Sequence, residues 1–210
     1  MKQSKALVTA EIIVLCVASI FLIQILRPDP EGVLKKRITE RSWGDPKSKV
    51  WVTEYFDYQC PPCANAHAFL RDWMQKNPGK IYLQVRYFPL PAHKNSMTAT
   101  VHAECATRQQ GKFQKFHDLV FDHQSEWAAD AYPELKFLTY AQEADLDLAR
   151  WDVCTKDPAT EKFISEEKAQ AEKLGVKITP SFFVNGKMVV GTKALSDELN
   201  AITDEKKPAA

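Results

Sequence analysis

Two cysteines separated by two prolines, Cys60-Pro61-Pro62-Cys63, carry the most chemistry in this sequence. Thiols at that spacing can share one disulfide, and a Cys-x-x-Cys that opens a helix after a strand reads as a redox site. The flanks fit that placement. Val50 to Phe56 alternates as a strand, and Ala64 to about Lys76 has the periodicity of a helix. A helix start leaves N–H groups unpaired and carries partial positive charge, so a sulfur there is favoured as the thiolate, the reactive form. A structural zinc site would need further ligands at comparable spacing. The chain has no second Cys-x-x-Cys and no His-x-x-x-His pair, so no metal or organic cofactor is expected.

The two prolines qualify the expected reactivity. If Cys60 caps the helix, Pro61 and Pro62 take the first two helical positions, where a missing N–H is tolerated. Neither can donate a hydrogen bond. The Cys60 sulfur is then left with the N–H groups of Cys63 and Ala64 and the helix dipole.

The rest of the chain has to position this pair. The 210 residues, 45% of them apolar, suffice for one domain with attachments, and a net charge of +1 gives no reason to expect nucleic acid. Ile81 to Phe88 reads as a second strand closed by Pro89-Leu-Pro91. Ser96–Gly111, Lys112–His123, Tyr132–Glu143 and Leu146–Cys154 read as short helices, and Ala159–Leu174 as an amphipathic helix stopped by Gly175. Strands Ser181–Val184 and Lys187–Val190 are joined by Asn185-Gly186, a strong hairpin signal, and a helix over about Lys193–Ile202 follows. This order predicts an α/β, thioredoxin-like fold with a helical insertion at about 91–158.

The N-terminal stretch is different in kind. Leu7 to Leu26 is apolar apart from Thr9, Glu11, Ser19 and Gln24, about the length of one bilayer crossing. The apolar run continues past its only small residues, which favours an uncleaved anchor over a cleaved signal peptide. The expected organisation is a cytoplasmic tail at 1–5, one transmembrane helix at 6–27, a linker at 28–46, the folded domain at 47–205 and a tail at 206–210. Basic residues lie on both sides of the anchor, so charge alone does not orient it.

Four pieces of the sequence resemble the DsbA family of thioredoxin-fold disulfide oxidoreductases, particularly its membrane-anchored bacterial members. They are Glu54-Tyr-Phe-Asp-Tyr-Gln-Cys-Pro-Pro-Cys63, Arg86-Tyr-Phe-Pro-Leu90, Glu104-Cys-Ala with Gly111-Lys-Phe and Phe116-His-Asp-Leu-Val-Phe121, and Leu174-Gly-Val with Thr179-Pro-Ser-Phe-Phe-Val-Asn-Gly186. The departure is Pro62, where the best-known members have His. The resemblance implies a surface-exposed nucleophile at Cys60, a more buried resolving thiol at Cys63, and a cis Pro180 that leaves the Thr179 backbone open to an incoming peptide. An extended substrate can pair with such an edge through main-chain hydrogen bonds. It further implies a buried carboxylate at Glu54, whose strand face otherwise carries Val50, Val52 and Phe56. Burial there would raise its pKa and suit it to relay the Cys63 proton. Asp57, on the opposite face, ranks lower.

Cys105 and Cys154 both fall in the insertion. They are either a structural disulfide or two buried thiols, and the resemblance favours the bridge. His67, four residues after Cys63, reads as a surface histidine, and Phe113, Phe116, Phe121 and Trp127 as core of the insertion. The expected function is a thiol–disulfide oxidoreductase tethered to the bacterial inner membrane with its catalytic domain in the periplasm. It would act as an oxidase on thiol-containing proteins and be recharged by a quinone-linked membrane oxidase of the DsbB or VKOR type. The alternatives are a reductase or isomerase kept reduced by a membrane electron donor, and a non-catalytic thiol-dependent chaperone or assembly factor.

Overall fold

A computed structural model describes residues 12–17 and 30–204. The chain divides into two compact units, Met1–Lys36 and Arg37–Ala210. In the first, residues 12–17 are helical (α1) and expose Ile12, Ile13, Val14, Leu15 and Val17. Among the described residues no helix is long and apolar enough to cross a membrane, and most of the expected anchor at 6–27 lies outside them. The tail at 206–210 lies outside them too.

The second unit is built on a mixed sheet of β1 (Ser42–Gly44), β2 (Trp51–Phe56), β3 (Tyr82–Tyr87), β4 (Ser181–Val184) and β5 (Lys187–Val190), in the order β1-β3-β2-β4-β5. Parallel β2 and β3 need a crossover, which α3 (Pro61–Lys76) supplies. β4 runs antiparallel to β2 and turns into β5 through Asn185 and Gly186, both at positive φ (49° and 86°), the backbone that a tight two-residue hairpin requires. β2 is therefore central, with Glu54 registered between Val85 and Phe182. A strand so placed is buried on both faces, and the thiol pair sits just beyond its end. The α/β, thioredoxin-like fold read from the element order is the fold observed.

The insertion consists of α4 (Ser96–Thr107), α5 (Phe113–Asp122), α6 (Gln124–Trp127), α7 (Glu134–Glu143) and α8 (Leu148–Thr155), before α9 (Pro158–Lys173) returns to the sheet. A disulfide joins Cys105 on α4 to Cys154 on α8, with Cα atoms 5.7 Å apart. Phe113, Phe116, Phe121 and Trp127 are buried, and the Trp127 indole N–H donates to the Val120 carbonyl at 2.8 Å. The chain closes with α10 (Gly191–Asp204), which buries Leu195 and Leu199.

The stretch expected to be a linker, 28–46, differs. It carries α2 (Pro30–Glu40) and β1, and the folded unit begins at Arg37 rather than near Lys47. The reason is long-range. Arg41 is fully buried, pairs with Glu167 at 2.9 Å and stacks its guanidinium 4.0 Å over the Tyr87 ring. Glu167 is also held by Arg86. A charge-rich segment reads as solvated until its partner, 126 residues away, is brought beside it.

Candidate active site

Cys60 is the N-cap of α3, with φ −80° and ψ 115°, and Pro61 and Pro62 take the first helical positions. The donors expected for its sulfur are largely engaged elsewhere. The N–H groups of Cys63 and Ala64 both donate to the Cys60 carbonyl, at 3.0 and 3.3 Å. Instead the Cys63 thiol is the chief donor to the Cys60 sulfur, and it brings the Cys60 pKa down to about 6. Burial opposes this, while Thr179 and a smaller share from the Cys63 N–H assist. The Thr179 hydroxyl is buried with no hydrogen-bond partner. Cys63 goes the other way. It is fully buried, and burial, the proton it shares with Cys60 and the nearby negative charges push its pKa well up. One thiol is thus poised to react near neutral pH and the other is held protonated until needed.

The nucleophile is less open than the DsbA resemblance implies. Cys60 is only 5% exposed, because the Thr179 main chain lies against it, with the Thr179 carbonyl 3.5 Å from Cys60 Sγ. The Thr179–Pro180 bond is cis. The Pro180 carbonyl accepts from the Gly191 N–H at 3.0 Å, and Ser181 enters β4 opposite Tyr55, so the sheet holds this loop beside the sulfur. Beneath the pair, Glu54 is 3% exposed and its Oε1 has no hydrogen-bond partner. Burial first, then the Cys60 charge, raises its pKa to about 8. The arrangement brings Cys60, Cys63, Thr179, Pro180 and Glu54 together, and it leaves Cys105 and Cys154 apart as a bridge.

Asp57 is more deeply engaged than its sequence rank suggested. It is fully buried, and its carboxylate accepts from the Gln59 N–H (2.7 Å), the Leu90 N–H (2.8 Å) and His93 Nδ1 (2.8 Å). Its carbonyl accepts from the Cys60 N–H at 3.2 Å, so it shapes the turn that presents the nucleophile. Half of this was findable, since an Asp accepting from the N–H two residues on is an Asx turn. The insertion grips the same turn. Gln124 Nε2 donates to the carbonyls of Tyr58 (2.6 Å) and Cys60 (3.1 Å), and Gln59 bridges the Asn95 N–H (2.6 Å) and the Ala128 carbonyl (2.7 Å). No local pattern in the sequence signals those contacts. His67 is half-buried rather than on the surface, its ring stacked on Phe121 at 4.9 Å and its Nε2 3.2 Å from Asp118 Oδ1. Among the described residues no cluster suited to a metal ion is present.

A family model described as thioredoxin matches residues 36–205. The chain belongs to the thioredoxin family. Its solved neighbours include DsbA-like proteins that share its fold. A thioredoxin-like oxidoreductase from Silicibacter pomeroyi DSS-3 is 31% identical, with 80% of this chain and 92% of that one covered and a TM-score of 0.64. Alpha-DsbA1 of Wolbachia pipientis, 23% identical, shares the fold with a TM-score of 0.66 over 79% of this chain and 91% of its own. Among curated relatives, a Rickettsia typhi protein described as a candidate protein-disulfide oxidoreductase is 32% identical over 148 residues, 68% of this chain and 53% of its own length. The chain spans still less, about 21%, of the Na(+)/H(+) antiporter NhaA 3 of Salinispora tropica, to which it is 34% identical over 145 residues, or 69% of this chain. As a thioredoxin-family domain it places a thiol pair, a cis proline and a buried acid in one compact site.

Proposed function

We propose that this protein is a membrane-anchored, extracytoplasmic thiol–disulfide oxidoreductase that oxidises substrate proteins through Cys60 and Cys63. The observation that carries this reading is the asymmetric thiol pair at the start of α3, with Cys60 at about 6, Cys63 far above it, and the Thr179 carbonyl 3.5 Å from the Cys60 sulfur. A substrate thiolate attacks Cys60 Sγ of the oxidised pair, and Cys63 leaves with the electron pair. Glu54 supplies the proton that Cys63 takes up. The Thr179 backbone pairs with the substrate main chain, which makes recognition broad in sequence. A second substrate thiol then attacks the mixed disulfide and frees Cys60. A quinone-linked membrane oxidase of the DsbB or VKOR type would reoxidise the dithiol. The apolar run from Leu7 to Leu26 supports anchoring in the inner membrane, and work at a disulfide-forming site supports a periplasmic domain.

The reductase direction is a second reading, and the Cys60 value favours it in part. A pKa of about 6 lies nearer thioredoxin, at ~7, than DsbA, at ~3.5. The gap to DsbA converts to roughly 3 kcal/mol, or ~70 mV in full and ~50 mV after solvent screening. Equilibration with glutathione is therefore expected to give a potential of ~−170 mV, against ~−120 mV for DsbA. A value as oxidising as DsbA's would show that thiolate stabilisation has been underestimated. Direction itself is read by alkylation trapping in cells. A Cys60–Cys63 pair found mostly as disulfide supports the oxidase, and one found mostly as dithiol overturns it in favour of the reductase. A cellular activity left intact by Cys60→Ser would support a non-catalytic chaperone or assembly role and remove the enzyme reading.

A further inference from the structure

Glu54 is sealed from solvent, so a proton that it exchanges with Cys63 has to reach bulk water through other groups. A cavity of about 140 Å³ adjoins it. That volume has room for several waters at ~30 Å³ each. Its inner wall is made by Glu54, Leu70, Leu83, Val85 and His117, all buried. Its outer wall includes the exposed Arg71 and Gln114 and the half-buried His67 and Asp118. The lining thus runs from the acid under the thiols to the surface between α3 and α5. Glu54 Oε1 and His67 Nε2, both buried atoms without a hydrogen-bond partner, belong to residues of this wall. Buried polar atoms beside a cavity of this size are the sites at which internal water is held.

The other polar residues of the wall are poor proton carriers. His117 is fully buried, its Nδ1 already 2.8 Å from the Tyr58 hydroxyl, and burial keeps it from accepting a proton. Arg71 is bound to Asp122 at 2.8 Å, and a guanidinium does not give up its proton. Gln114 does not titrate. His67 remains, with its Nε2 3.2 Å from Asp118 Oδ1 but outside hydrogen-bond alignment, so the nitrogen has no hydrogen-bond partner.

We propose that this cavity is the proton route of the exchange site, and that His67, paired with Asp118, passes protons between Glu54 and solvent. The inference rests on the reading of Glu54 as the relay for Cys63. When a substrate thiolate breaks the Cys60–Cys63 bond, the electron pair leaves on Cys63 and the thiolate takes the Glu54 proton. The Glu54 carboxylate recovers a proton from the His67 imidazolium through cavity water, and His67 is refilled from solvent. During reoxidation each proton moves the opposite way.

The test is the rate at which excess dithiothreitol reduces the oxidised full-length protein near pH 7, quenched by alkylation. His67→Gln keeps the approximate shape and removes the imidazole, and it is expected to slow the step roughly tenfold. Its equilibrium with glutathione should not move, which separates proton delivery from a change in the thiols. His67→Ala is expected to slow similarly and to recover with added imidazole, a response that lost packing alone would not give. An unchanged rate in His67→Gln, or a loss in His67→Ala that imidazole does not restore, overturns the route. Glu54→Gln tells the two levels apart. If it slows the step while His67→Gln does not, the relay stands and the exit through His67 falls. If neither slows it, both fall.

Discussion

Glu54→Gln is expected to make the folded domain more stable, by about 3 kcal/mol at pH 7, and at the same time a slower exchanger. Burial raises the Glu54 pKa from 4.5 to about 8, so at neutral pH the unfolded chain holds a carboxylate where the folded one holds a neutral acid. The sign follows from that order. The folded pKa lies above the unfolded one, so the favourable contribution is complete below pH 4.5 and is lost as pH rises toward 8. Each pH unit inside that window costs up to ~1.4 kcal/mol. Glutamine is neutral throughout and escapes the loss. Urea unfolding of the oxidised protein, where burial remains and the Cys60 charge does not, should show the two proteins alike near pH 4.5 and diverging upward, by less than in the reduced form. Parallel curves would mean that Glu54 is not held neutral by burial. The reduction rate, in turn, should fall roughly 10²-fold, as expected for the loss of a proton-transfer group. A residue that lowers stability at working pH while its nearest roles are chemical is placed for function.

Removing the bridge between α4 and α8 is expected to cost more, about 4 kcal/mol. Cys105 and Cys154 close a loop with a sequence separation of 49, and the chain-entropy estimate for that length is ~4 kcal/mol. The double substitution Cys105→Ala/Cys154→Ala avoids burying a hydroxyl at Cys105, which is 1% exposed. For a domain of this size the loss corresponds to a fall in Tm of roughly 10 °C. Thermal and urea unfolding check it, with Cys60 and Cys63 in the same redox state in both proteins. A drop under ~1 kcal/mol would mean that the insertion is held by its aromatic core alone. The consequence reaches the active site, since Asn95, Gln124 and the Ala128 carbonyl, all from the insertion, hold the turn that carries Cys60.

These two residues show how unevenly the site was legible. Glu54 could be read as buried because strand alternation puts it on the face of Val50, Val52 and Phe56, and a period of two is a local property. Asp57 was underrated because alternation says nothing about a loop whose donors, Leu90 and His93, come from another part of the chain. The prolines could be placed at the helix start from their chemistry alone. The expectation that backbone N–H groups would serve the sulfur held only in part: the Cys63 N–H contributes, but both N–H groups donate to the Cys60 carbonyl and the Cys63 thiol supplies the larger share.

By itself, the sequence determined the order of strands and helices, the thiol pair at a helix start and the hairpin at Asn185-Gly186. Each depends on spacing, propensity or capping among neighbours, which act over a few residues. Only the tertiary structure decided the rest. It set which groups serve Cys60, how far burial shifts Glu54, the pairing of Arg41 with Glu167, and the cavity that sets His67 near the acid. Those depend on dielectric and on contacts between residues far apart in the chain, and packing alone creates both.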